Sequence, residues 1–236
     1  MCGRYALIDG ERVLKTFAEL RELKQRGAPF ELLPRYNASP MQPMPVVAVR
    51  NNEARIEAMR WWLVPHWSKD GKPNVKFPAF NARAETLPTS KLFAPYFKSS
   101  RCLVPADAFY EWKAAPPAER GTKPEKQPMC VRMNDEAPFM FGGLFSVWKS
   151  EKEEEVPTFT IITTEPNSLM KHIHTRMPVI IPPKHFSRWL DRDYKETDEL
   201  KKLLVPYPAS GMKAYRVART VGNARNDVPE CLEPVG

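Results

Sequence analysis

The sequence predicts a single compact α+β domain, rich in strands and carrying short surrounding helices. Three observations lead there. Apolar and β-branched residues gather in runs bounded by Gly, Pro and Asn pairs, helical periodicity is confined to brief stretches, and neither repeat nor linker divides the 236 residues. A chain of that length buries most of the apolar surface it exposes when unfolded, so one core suffices.

Taken in order, the first element is an amphipathic helix over residues 10–26, GERVLKTFAELRELKQR. Val13, Leu14, Phe17, Leu20 and Leu23 fall at helical spacing, with Asp9 as N-cap and Gly27 just past the end. PVVAV and RIEAMRWWLV then read as strands joined by a hairpin at Asn51-Asn52. RCLVPADAFYEW, residues 101–112, reads as one long strand. PMCVRM, FMFGGLFSVW and TFTIITT follow, the last two paired across the acidic run KSEKEEEVP at 149–157. Short helices are expected at 166–173, 183–190 and 196–204, and MKAYRVAR returns as a late strand. The Pro-rich insert at 114–128 is expected to be a mobile loop, not a domain boundary, because strands on both sides need each other to make a sheet.

Composition narrows the class. Four cysteines stand far apart with no CxxC pair, and no basic segment followed by an apolar run opens the chain, so a reducing, cytoplasmic location is expected. No stretch approaches the roughly 20 apolar residues that cross a bilayer. The net charge of +8 favours a polyanionic partner. Arginines beside aromatic residues and Asn, at GRY, RYN, RWW and NAR, supply the mixture that holds phosphates and stacks bases.

Five stretches carry candidate chemistry. In MCGRYA, loss of Met1 would leave Cys2 with its α-amine and thiol on one carbon, a 1,2-aminothiol that no other position offers. In FYEWK, Glu111 stands between Tyr110 and Trp112, where aromatic neighbours would disfavour its ionised form and fit it for acid/base work. In FNARAET, Asn81 and Arg83 lie two apart and so on one side of an extended segment, with Glu85 behind them. In HIHTRMP, His172 and His174 alternate and Arg176 follows at the next same-side position. In YNASP, Asn37 and Pro40 form a rigid turn. Singly, each also fits an ordinary reading: Glu111 as a solvent-facing strand residue, the Asn-x-Arg pair as a turn or surface ion pair. The His-x-His pair alone falls short of the three or four ligands a zinc site needs, so no metal and no cofactor are expected.

Together, and in their order, these stretches resemble one family. MCGRY, RYNASP, RWWLVPHW, NARAET, RCLVPADAFYEWK, IITTEPN, HTRMPVI and VGNARNDVPECLEP run over nearly the whole chain and are similar to the SOS response-associated peptidase (SRAP) domain proteins. The resemblance implies a β-barrel-like mixed sheet core and a basic cleft for single-stranded DNA containing abasic sites. It implies that Cys2 forms a covalent thiazolidine crosslink with the lesion, with Glu111 shuttling protons, His174 assisting at the opened sugar, and some lyase activity. Asn37 and Pro40 would line the pocket around Cys2. Arg4, Asn81 and Arg83 would hold phosphates, Trp67 and Trp112 would stack on bases, and Thr163 and Arg176 would add DNA contacts. A monomer acting at the nucleoid or replication fork is expected. Trp62 and Thr175 depart from the family pattern, which usually has Gly and Asp there. Two rivals remain: a thiol hydrolase using Cys2, His174 and Asn37, and a non-covalent single-strand-binding module.

Overall fold

The computed structural model describes residues 2–16, 24–25, 33–114 and 126–236. In chain order the elements are β1 (Tyr5–Leu7), α1 (Gly10–Thr16), β2 (Lys24–Gln25), β3 (Arg35–Ala38), β4 (Pro43–Arg50), β5 (Glu53–Trp61) and β6 (Asn81–Arg83). Then come α2 (Ala94–Ser99), β7 (Arg101–Ala106), β8 (Ala108–Ala114), β9 (Lys126–Met133), β10 (Phe139–Lys149) and β11 (Glu155–Thr164). β12 (Met177–Pro178), α3 (Phe186–Leu190), α4 (Thr197–Lys201) and β13 (Met212–Arg216) complete the set.

Five strands close on themselves. β11 pairs antiparallel with β10, β10 with β7, β7 with β4 and β4 with β5, and β5 returns to β11 in parallel through Thr158 opposite Arg60. Closure removes the free edges of an open sheet and gives a barrel narrow enough for side chains to fill. Trp61, Phe141, Phe159 and Leu103 are buried in the core, and each such burial contributes roughly 1.5–3 kcal/mol. Crowding is tight at Gly143, where a Cβ would meet the Thr160 carbonyl at 2.8 Å and Cys102 Sγ at 2.9 Å.

A second, antiparallel sheet in the order β13-β9-β8-β1-β3 packs beside the barrel. One of its faces joins the main core through Tyr5, Leu7 and Phe109. The other covers a smaller cluster of Ala6, Ala108, Tyr110 and Cys130 with Val217, Val221 and Cys231 from the C-terminal segment. The expected barrel-like α+β architecture is therefore present.

Most predicted elements stand where the patterning put them. The β4–β5 hairpin turns at Asn51 and Asn52, both at positive φ (52° and 60°), and the β10–β11 hairpin spans the acidic run. Asp9 caps α1, its carboxylate accepting the Arg12 N–H at 2.9 Å.

Three expectations are corrected. The helix does not extend to 26, because Lys24–Gln25 pair in parallel with β5, and residues 17–23 and Gly27 lie outside the described residues. The insert begins and ends in strand, since Ala114 pairs with Lys126, and 115–125 lie outside the described residues. RCLVPADAFYEW is two strands in different sheets, broken at Asp107. That buried carboxylate accepts the Ile8 N–H at 2.7 Å while the Asp107 N–H donates to the Ala6 carbonyl at 2.8 Å, so β1 holds the bend.

Candidate active site

Cys2 lies three residues ahead of Tyr5 and is fully buried in the main core. β8 runs beside β1 with Tyr5 opposite Phe109 and the Tyr110 N–H on the Arg4 carbonyl at 3.0 Å. Continuing that register sets Glu111 opposite Gly3, one residue from Cys2. Their proximity is electrostatic as well: the Cys2 thiol is raised above its usual range first by burial and second by the Glu111 charge.

Glu111 is only 2 % exposed, and burial pushes its carboxyl up to about 7, with the positive chain terminus pulling the other way. Tyr110 and Trp112 are not the cause, contrary to the reading of FYEWK. Strand alternation turns both to the opposite face, into the cluster with Cys130 and Cys231, while Glu111 faces the barrel side. Trp112 is thereby directed away from the face that holds Cys2.

His174 closes the cluster, with Nε2 3.8 Å from Glu111 Oε2. Its Nδ1 lies 3.1 Å from the Arg176 N–H and 3.3 Å from the Arg176 carbonyl, so that backbone orients the ring with Nε2 toward Glu111. Burial, followed by the positive terminus, holds the imidazole below its usual value. At neutral pH the ring is uncharged and the carboxyl is near its midpoint, so the pair is able to exchange a proton and is not a fixed ion pair. The metal-pair geometry of His-x-His is not realised, because residues 170–172 form a 3-10 turn that leaves His172 exposed. Among the described residues no three metal-ligating side chains meet.

Arg176 forks onto Glu85, with Nη1–Oε1 at 2.6 Å and Nη2–Oε2 at 2.9 Å, and Nη2 also donates to the Thr163 carbonyl at 2.6 Å. The hydrogen bonds from Arg176 hold the Glu85 carboxyl below its usual range. Thr163 is enclosed and its hydroxyl donates to the Ala82 carbonyl, so its geometry anchors Arg176 from within instead of presenting a surface phosphate contact.

Asn37 likewise is structural in its geometry. Its Nδ2 donates to the carbonyls of Val221, Asn223 and Asn226, its Oδ1 accepts Arg4 Nη1 at 2.9 Å, and the side chain is fully buried. Arg4 donates onward to the Val221 and Gly222 carbonyls at 2.7 and 3.0 Å. Asp227 completes the clasp, accepting the Tyr36 and Asn37 N–H groups and pairing with Arg35 at 2.6 Å. These bonds occupy the Asn37 amide, which was expected to line the pocket or act in catalysis, and they hold Arg4, two residues after Cys2.

The remaining residues expected to meet DNA lie on other elements. Pro40 is half-buried in a turn where Met41, at φ 79°, donates its N–H to the Trp61 carbonyl at 2.9 Å. Asn81 is buried and donates to the Phe80 and Ile161 carbonyls, whereas Arg83 at the end of β6 is exposed. Trp67 is 51 % exposed and stacks on Tyr96 at 5.9 Å. Sequence reasoning missed Tyr5, whose buried hydroxyl has no partner among the described residues and whose pKa is raised by burial and then by Cys2. It also missed Asp227 as a clasp residue. Only the placement of both in the quoted MCGRY and VGNARNDVPECLEP stretches signalled them.

The model of the SOS response associated peptidase (SRAP) family matches residues 1–224. The chain belongs to the SRAP family. The abasic site processing protein YoaM of Bacillus subtilis (strain 168) is 37 % identical to this SRAP chain over 234 residues, covering 99 % of it and 98 % of YoaM. The abasic site processing protein HMCES of Rattus norvegicus is 30 % identical over 275 residues, covering 99 % of this chain and 76 % of HMCES. A solved structure from Bacteroides thetaiotaomicron shares the fold, with a TM-score of 0.75 at 23 % identity over 99 % of this chain and 100 % of that one. No helix among the described residues is long and apolar enough to cross a membrane.

Proposed function

We propose that this protein processes abasic sites in single-stranded DNA, and that it does so by closing a thiazolidine ring through Cys2 once Met1 is removed. The observation that carries the reading is the meeting of Cys2, Glu111 and His174 from three distant segments. The names of YoaM and HMCES, both abasic site processing proteins, support the substrate.

The chemistry follows from the groups present. The α-amine of Cys2, with an ordinary pKa of roughly 7.7–8.0, adds to the C1′ aldehyde of the opened sugar, and loss of one water gives an imine. The neutral thiol then adds to the imine carbon, its proton passing to nitrogen. A carboxyl near half-protonation at neutral pH both donates to the departing hydroxyl and accepts from the amine, which is the work assigned to Glu111. His174, neutral and with Nε2 toward Glu111, supports that transfer. The same imine allows β-elimination at the 3′ phosphate, so strand cleavage accompanies trapping. Arg83 and the half-exposed Trp67 are the groups for phosphate and base. A thiol hydrolase is disfavoured, because burial keeps the Cys2 thiol protonated and the Asn37 amide is fully engaged.

Cys2→Ser tests the proposal by separating its two halves. The serine variant should be trapped by borohydride on an abasic strand and should nick it, yet leave no heat-stable adduct without reductant. Wild type should give that adduct unaided, with the mass of protein lacking Met1 plus DNA minus one water. A covalent product on a strand whose abasic sugar has been reduced, and so has no aldehyde, would sink the aminothiol mechanism.

A further inference from the structure

One polar group near Cys2 has no task in the chemistry above. Tyr5 is fully buried, and its hydroxyl has no hydrogen-bond partner among the described residues. An unpaired buried hydroxyl destabilises a core, and phenylalanine would fill nearly the same volume without that penalty. An unmet polar atom in a native fold therefore calls for a reason, and use in a reaction is one.

The ring that carries this hydroxyl is fixed. It meets Trp61 edge-on at 5.2 Å and Phe141 at 5.7 Å, with interplanar angles of 62° and 86°, and both partners are enclosed in the barrel. Strand register decides which groups share its surroundings. Tyr5 stands opposite Phe109, so Glu111, two residues further along β8, lies on the same face at the diagonal position, a spacing that aromatic side chains reach across. Cys2 enters the same core, and its sulfur accepts a hydrogen bond from the backbone N–H of Arg4, the residue before Tyr5. Burial raises the Tyr5 pKa first and the Cys2 charge second, while the Arg35 guanidinium pulls it down and Cys102 adds a weaker push. Arg35 itself is bonded to Asp227 and Gln42. The phenol so placed keeps its proton, and toward a sulfur gaining negative charge it is a donor.

We infer that the Tyr5 hydroxyl is a catalytic hydrogen-bond donor to the Cys2 sulfur while the thiazolidine ring closes and reopens. In closure the S–H bond breaks, the S–C bond forms, and the proton passes to nitrogen. In reopening the C–S electron pair returns to sulfur, the C=N bond forms again, and the nitrogen proton follows to sulfur. Both directions cross a state in which sulfur carries more negative charge than the resting thiol or the finished thioether. A donor held in place and unmet at rest stabilises that state above the two it connects. Tyr5 keeps its own O–H bond throughout. The inference rests on the ring-closing reading above and adds the group that acts on sulfur, whereas Glu111 serves the amine and the departing hydroxyl.

Tyr5→Phe, made in the full-length protein and freed of Met1, keeps the ring and removes only the donor. On an abasic strand, imine trapped by borohydride should form at the wild-type rate. The heat-stable adduct made without reductant should appear about tenfold more slowly, the equivalent of one hydrogen bond to a charged atom. Without DNA, alkylation of Cys2 by iodoacetamide, read from the mass of its peptide, should slow by a similar factor at fixed pH, because the thiolate loses its donor. The urea midpoint should not fall, since the resting protein loses no hydrogen bond. An unchanged adduct rate, equal slowing of imine and adduct, unchanged alkylation, or a lower midpoint would each overturn the assignment. If wild type forms no heat-stable adduct on any abasic strand while Tyr5→Phe still slows alkylation, the ring-closing reading fails and the contact between hydroxyl and sulfur stands.

Discussion

Two carboxylates on either side of the His174–Arg176 segment experience opposite fates. Glu111 is enclosed, faces a neutral imidazole, and has its carboxyl pushed up to about 7. Glu85 is half-exposed, is gripped by both arms of Arg176, and is held below its ordinary value. On the proposed mechanism the same side chain thus serves as a proton carrier in one place and a fixed anion in the other. What decides is burial: desolvation of Glu111 outweighs the pull of the positive chain terminus, whereas half-exposed Glu85 is governed by the hydrogen bonds of a guanidinium.

Removing the carrier should have the largest effect. Glu111→Gln keeps size and burial but cannot exchange protons, so adduct formation on an abasic strand should slow on the order of a hundredfold or more, and release of preformed adduct should slow with it. Quench-flow gels run in both directions would show this, and a variant slowed in only one direction would break the assignment.

Next comes a stability signature with a definite sign. The Glu111 carboxyl ionises near 4.5 in the unfolded chain but near 7 in the native one, so its contribution is fully present below 4.5 and is lost as pH rises through 7. At about 1.4 kcal/mol per pH unit the loss is about 3 kcal/mol. Urea unfolding across that window should show wild type losing this increment relative to Glu111→Gln. Parallel curves would mean that the carboxyl is ionised normally.

The smallest effect belongs to the fixed anion and has the opposite sign. The lowered pKa of Glu85 gives stability that is present above its unfolded value and is lost as pH falls through its native one. Because Glu85 is about half exposed, solvent screening limits Glu85→Gln to less than about 1 kcal/mol, seen only on the alkaline side of the carboxylate range. A larger cost would show that Arg176 depends on the pair to hold the His174 turn.

How far the sequence alone reaches can be judged from particular residues. Asp9 and Asn51-Asn52 act on backbone within a few positions, so their cap and turn were legible. Asp107 was not, because its bend is fixed by Ile8, 99 residues away in sequence. Glu111 has the raised carboxyl expected of it, but on another ground: its sequence neighbours are aromatic, yet alternation sends them to the far face, and its own burial raises it. Asn37 was legible as unusual, while its three carbonyl partners lie in the C-terminal segment and leave no local trace.

That clasp also imposes an order in time. Arg4 Nη1 bonds the Val221 carbonyl across 217 positions of chain, so a ribosome must deliver almost the whole protein before the surroundings of Cys2 can be completed. The enclosure of Cys2 is thus among the last parts of the fold to be completed.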